Sequence, residues 1–168
     1  VLAKTADFIN KNGTVVKAVM RRSFKICKPD SDVEQINCKA VVAFETVDEF
    51  EVVEKVDASK ALIASWTLEQ FDTSDTTEAF CFVDNPQDAI NFDFYDHPGD
   101  RIQYHKNGFT YKTDGKKAGQ IGIKTGAKPK KIGFTDSDRN IICIRENLSG
   151  DSGTFFNIAE DRKSTRLN

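Results

Sequence analysis

Histidine, tryptophan and methionine are scarce in this chain, which has two His, one Trp and one Met. Four cysteines, Cys27, Cys38, Cys81 and Cys143, form no CxxC pair, and with so little histidine beside them a structural zinc site is not expected. No window approaches the ~20 consecutive apolar residues of a membrane-spanning helix, so no integral membrane segment is expected. The first twenty residues also lack the charged, apolar and small-residue zones of a signal peptide. A net charge of -2 excludes a global attraction to nucleic acid or anionic lipid, which needs a basic surplus over the domain or one face.

What the chain does have is phenylalanine and alternation. Thirteen Phe favour strands, and short runs of period two recur between Gly, Pro and Asn punctuation. The firmest is a hairpin in which Arg101 to His105 pairs with Phe109 to Thr113 across Asn107-Gly108, because Asn-Gly supplies the positive φ of a tight turn. Further strands are read at Thr14–Cys27, with Arg21-Arg22 as an interruption, at Cys38–Val47 and at Phe50–Val56 beyond the acidic Asp48-Glu49. Others fall at Ala58–Phe71, Phe80–Val83, Ile90–Phe94, Gln120–Thr125, Lys131–Thr135, Ile141–Arg145 and Thr154–Ile158. Leu2, Ala6 and Ile9 at helical spacing predict one short N-terminal helix. The expectation is an all-β chain, an antiparallel β-sandwich or jelly roll of about ten short strands, forming a single domain over residues 1–160. Residues 161–168, Asp-Arg-Lys-Ser-Thr-Arg-Leu-Asn, resemble the translation of a sequencing adapter and are set aside as a non-native tail.

Charge is segregated along the chain. Glu69 to Asp100 holds nine acids and no Lys or Arg, and Arg101 to Lys131 holds nine bases against Asp114 alone. The basic run, with Lys112, Lys116, Lys117, Lys124, Lys128, Lys130 and Lys131, lacks phosphate-loop spacing and is a candidate surface for an anionic polymer or a partner protein. If the two blocks occupy separate faces, the molecule is a dipole suited to self-association; if they lie on adjacent strands, the charges neutralise one another across the sheet. Nearby, Tyr104, Phe109 and Tyr111 suit stacking, although Phe109 and Tyr111 share a strand face that fits core better than platform.

Cys27 and Cys38 bracket a polar loop and are the expected disulfide. That bridge and the sequons at Asn12 and Asn147 point to an extracellular location. Asp84, Asp88, Asp93, Asp96 and Asp100 supply enough oxygen ligands in one region for a calcium site built from several loops. The run from Asp136 to Asn140 opens like an EF-hand loop, but Ile141 stands at the glycine position and Asn147 at the bidentate glutamate. Gly150-Asp151-Ser152-Gly153 resembles the nucleophile loop of chymotrypsin-like serine proteases, but neither His97 nor His105 sits in that family's Ala-Ala-His-Cys context. Three functions follow in order: a non-catalytic binding or assembly module using separate acidic and basic surfaces, a secreted lectin-like domain with calcium assistance, and a serine hydrolase. No resident cofactor is implied beyond that calcium.

Overall fold

The computed structural model describes residues 1–63, 67–92, 97–117 and 119–146. The fold is all-β and antiparallel, and the described residues form ten strands in sheets of three, five and two. It divides into two compact units, Val1–Glu69 and the chain from Gln70 onward.

In the first unit β1 (Leu2–Ile9), β2 (Val15–Cys27) and β3 (Ala43–Val52) form one sheet in the order β1-β2-β3. The expected N-terminal helix is therefore a strand. A hairpin ladder running from Leu2↔Arg22 to Ile9↔Val15 outweighs the weak helical spacing, and the Phe8 ring packs 5.5 Å from Phe50 of β3. Asn10 closes the turn: its Oδ1 accepts the Asn12 and Thr14 N–H groups at 3.0 and 2.9 Å, with Gly13 at φ 78°. Even-numbered residues of β2 form the apolar face, with Val16 and Ala18 buried. The expected break at Asp48-Glu49 is absent, because Arg21 and Arg22 stand opposite Glu49 and Asp48 in the β2–β3 register. Arg22 donates from Nε to Asp48 Oδ1 and from Nη2 to Asp48 Oδ2 (3.0 Å), and its pKa is raised by that bond and by the charge behind it. The 28–37 loop contains a helical turn, α1 (Ser31–Glu34), whose cap is the Asp30 carboxylate accepting from Asp32 N–H. The Ala58–Phe71 strand does not form at any of its described residues.

The second unit is built on a five-stranded sheet in the order β10-β9-β4-β7-β6. Its strands are β4 (Thr77–Phe82), β6 (Ile102–His105), β7 (Gly108–Lys112), β9 (Lys131–Asp136) and β10 (Ile141–Arg145). The expected hairpin is there as β6 and β7, with Tyr104 opposite Phe109, but its loop is Lys106-Asn107: Gly108 opens β7 opposite His105, and neither Asn107 nor Gly108 takes the positive φ expected of the turn. One face of this sheet carries Cys81, Ile102, Phe109 and Tyr111, which join Val83 in a buried cluster. Over them lies a second layer made of α2 (Pro86–Ala89), the short ladder of β5 (Ile90–Asn91) with β8 (Gly122–Ile123), and the 3-10 turn Thr125–Ala127. Ala89 and Ile90 enter the core from that layer, and Phe92, Ile121, Ile123 and Ala127 pack around them. This unit is thus sandwich-like, and each fully buried Phe or Ile contributes at most about 1.5–3 kcal/mol. Phe109 and Tyr111 are core, as their shared face predicts. The Thr154–Ile158 strand and the 161–168 tail lie outside the described residues.

Candidate functional site

Strand alternation decides which side chains leave the core. With Ala79, Cys81 and Val83 turned inward, Glu78, Phe80 and Phe82 of β4 project from the opposite face of the five-stranded sheet. The register then lays out that face row by row. Phe80 stands between Gly133 on β9 and Thr110 on β7, with Ile144 and Gln103 beyond them. Phe82 stands between Lys131 and Gly108, with His105 beyond.

The centre of this face is aromatic. The Phe80 and Phe82 rings lie 5.5 Å apart at 51°. A Cβ added to Gly133 would stand 2.7 Å from Phe80 Cζ, so the ring lies over the glycine, and it rests there only because that position has no side chain. Phe82 is 48 % exposed and Ile142 38 % exposed, which leaves apolar surface open on a face bordered by polar side chains on the β6 side and by Ile142 and Ile144 on the β10 side. On the β6 side Gln103 and His105 are exposed, and Thr110 Oγ1 lies 3.5 Å from His105 Nε2. On the β9 side Lys131 Nζ meets Glu146 at 3.2 Å.

The two charge blocks are not kept apart, which corrects the expectation of separate acidic and basic surfaces. Lys116 bonds Asp75 at 2.7 Å, Lys124 bonds Asp88 at 3.2 Å and Lys130 bonds Asp84 at 2.6 Å. The physical reason is topological: the segments carrying the acids and those carrying the bases are brought side by side by the β4–β7 and β4–β9 ladders and, for Lys124 and Asp88, by the β5–β8 ladder. Lys112 reaches Asp114 at 3.5 Å, while Lys117 and Lys128 are exposed, the latter at a left-handed φ of 49°.

Two buried carboxylates anchor these loops. Asp114 accepts Arg101 Nη2 at 2.6 Å and the Lys116 N–H at 3.1 Å, and the Arg101 bond, opposed by burial, holds its pKa at about 2. Asp136 accepts Ser74 Oγ at 2.8 Å, Thr77 Oγ1 at 2.9 Å and the Arg139 N–H at 3.1 Å. Burial alone would raise the Asp136 pKa, but those donors and the Arg139 charge bring it below the usual range. Arg139 then ties the turn to Asp72 through O and Oδ2, each at 2.7 Å. Both nodes are structural, and neither carboxylate is exposed.

The remaining candidates do not converge. Cys27 and Cys38 are free thiols, which corrects the predicted bridge: Cys27 ends β2 opposite Ala43, with its Sγ–H directed to Lys25 O at 3.4 Å, while Cys38 hydrogen-bonds through its backbone to Ile36. Among the described residues no three His, Cys, Asp or Glu side chains gather as a metal site, and Asp84 and Asp88 are engaged by lysines, while Asp100 lies in the 3-10 turn Gly99–Arg101. Asp93, Asp96, Asn147 and Gly150–Gly153 lie outside the described residues, and Asn12 is exposed in the β1–β2 turn. Of the two histidines, His97 accepts the Gly99 N–H and stacks 4.4 Å from Phe92. No helix in the described residues is long and apolar enough to cross a membrane.

The Phe80–Phe82 face is what sequence reading missed. Ala79-Phe80-Cys81-Phe82-Val83 is apolar throughout, so its alternation is silent, and the bulkier set faces outward. The one available signal was the polar Thr110 and Gln103 in the partner strands, whose parity assigns that face to the outside. No curated protein and no solved structure matches the chain. A family model does match it over residues 1–166, nearly its whole length, and the chain belongs to that family, a family of unknown function (DUF6786).

Proposed function

We propose that the protein is a non-catalytic binding or assembly module whose contact surface is the outer face of the five-stranded sheet in the second unit. The observation that carries the reading is the Phe80–Phe82 ring pair, with Phe80 laid over Gly133 and Phe82 exposed, and hydrogen-bonding side chains beside it on β7 and β6. Exposed aromatic surface held rigidly by a sheet is the usual anchor of a recognition site, since it supplies contact area at low entropic cost. The interlocked lysines are a poorer basis for recognition, because Lys116, Lys124 and Lys130 already have carboxylate partners within the fold.

Hydrogen exchange followed by mass spectrometry tests this reading. The protein is compared alone at low concentration, alone at high concentration, and with panels of soluble glycans, single-stranded oligonucleotides and peptides. Added protection confined to the peptides covering 78–82, 103–110 and 131–135 in any arm supports the module and its face. Protection elsewhere, or none in any arm, overturns it.

A further inference from the structure

Resting on that reading, we propose that the Phe80–Phe82 face is a carbohydrate-binding platform that takes an uncharged oligosaccharide.

The chemistry of the face selects among aromatic-stacking ligands. A sugar ring is apolar on its C–H faces and polar at its rim, so it needs a ring to lie on and hydrogen-bonding groups within reach of that rim. The register supplies both: the two phenyl rings lie along β4, and Thr110, Gln103 and His105 stand to one side of them on β7 and β6. A glycine flanks each ring in the neighbouring strand, Gly133 beside Phe80 and Gly108 beside Phe82, which keeps the approach to the rings low. The 51° between the rings makes the platform twisted, suited to consecutive residues of a turning chain better than to a flat crystalline surface.

Charge argues against a polyanion. A nucleic acid or acidic polysaccharide needs basic groups free to meet its charges. The lysines of this face are paired, Lys112 with Asp114 at 3.5 Å and Lys131 with Glu146 at 3.2 Å. Glu78, in register with Lys112, adds a further negative charge. What remains are amide, hydroxyl and imidazole groups and already compensated ions, a set that matches neutral hydroxyls.

Affinity electrophoresis decides the point. The intact protein is run through gels containing hydroxyethylcellulose, xylan, galactomannan or mixed-linkage β-glucan, with polygalacturonate and a dT oligonucleotide as anionic arms. The expected result is retardation by at least one neutral glycan, weakened about tenfold in Phe82→Ala, the size of one lost stacking contact. Phe82→Tyr, which keeps the ring, retains binding, and an unchanged thermal midpoint separates lost binding from lost folding. Retardation by the anionic arms alone overturns the carbohydrate assignment and leaves the binding face standing. No retardation by any neutral glycan, or retardation that Phe82→Ala leaves unchanged, overturns it as well. Absence of added exchange protection on the face in every arm of the previous experiment removes the face itself, so the two failures are distinct.

Discussion

Replacing Gly133 by alanine tests the packing on which the aromatic face depends. The new Cβ would stand 1.9 Å from the Cys143 carbonyl oxygen, 3.0 Å from the Cys143 carbonyl carbon and 2.7 Å from Phe80 Cζ. Two of those atoms are backbone of β10, so the clash cannot be relieved by rotating a side chain; β9 and β10 must part by roughly 1 Å to reach tolerable contact. Forcing a methyl into such a site costs about 1–3 kcal/mol. With the backbone involved, a loss of about 2 kcal/mol is expected, or roughly 10 °C in thermal midpoint for a unit of this size. Gly126→Ala is the control, because nothing lies within 4 Å of its added Cβ and its φ is ordinary; it should melt within a degree or two of the parent or slightly above it. Far-ultraviolet circular dichroism during heating gives both midpoints. If Gly133→Ala melts with Gly126→Ala, the close approach of β9 to β10 and the seat of the Phe80 ring are wrong.

Three further outcomes are expected. Because Asp114 titrates at about 2 when folded, below its ordinary value of 3.8, it contributes stability that is present above pH 4 and lost as pH falls toward 2. Urea midpoints between pH 5 and 2 should fall more steeply for the wild type than for Asp114→Asn, and equal slopes would refute the node. Burial raises the Cys81 thiol to about 11, so at pH 8 a thiol reagent should label Cys27 in the folded protein and Cys81 only after denaturation, as read by peptide mass. Lys130→Glu sets two acids together where Lys130 and Asp84 now lie 2.6 Å apart; it should lower the urea midpoint at low salt, and adding Asp84→Lys should restore it, with both effects fading in 1 M NaCl. A double variant that recovers nothing at low salt would disprove the pairing.

Much of the second unit was legible because its signals are local. The Lys106-Asn107-Gly108 punctuation located one hairpin, although Gly108 is the first residue of β7 rather than a positive-φ turn residue, and Ile141–Arg145 read as a strand and is one. The first unit was harder because its signals are cross-strand. Arg21-Arg22 reads as an interruption of one strand and Asp48-Glu49 as a break between two, yet each pair is the other's partner across the sheet. A linear reading treats as punctuation what the fold uses as pairing. The same limit governs the charge blocks: sequence shows that acids precede bases, but only the strand order places Asp84 beside Lys130 and Asp75 beside Lys116. The N-terminal helix failed on a comparable point, since three apolar residues at helical spacing say nothing of the ladder that β2 offers Leu2–Ile9.

The strand order of the larger sheet also sets a sequence of events in time. β6–β7 and β9–β10 are hairpins between chain neighbours, which close in microseconds, whereas β4 lies between them and must span residues 83–107 to reach one and 83–130 to reach the other. The loop entropy of those two closures falls on β4 alone, so we expect it to dock last, with the two hairpins as early structure. Substitutions at Asn107 should then slow folding, while Cys81→Ala should mainly speed unfolding, and the opposite pattern in stopped-flow chevrons would reverse the order. Until that docking occurs, Ala79-Phe80-Cys81-Phe82-Val83 is an uncharged, unpaired strand, open to pairing with another chain during folding.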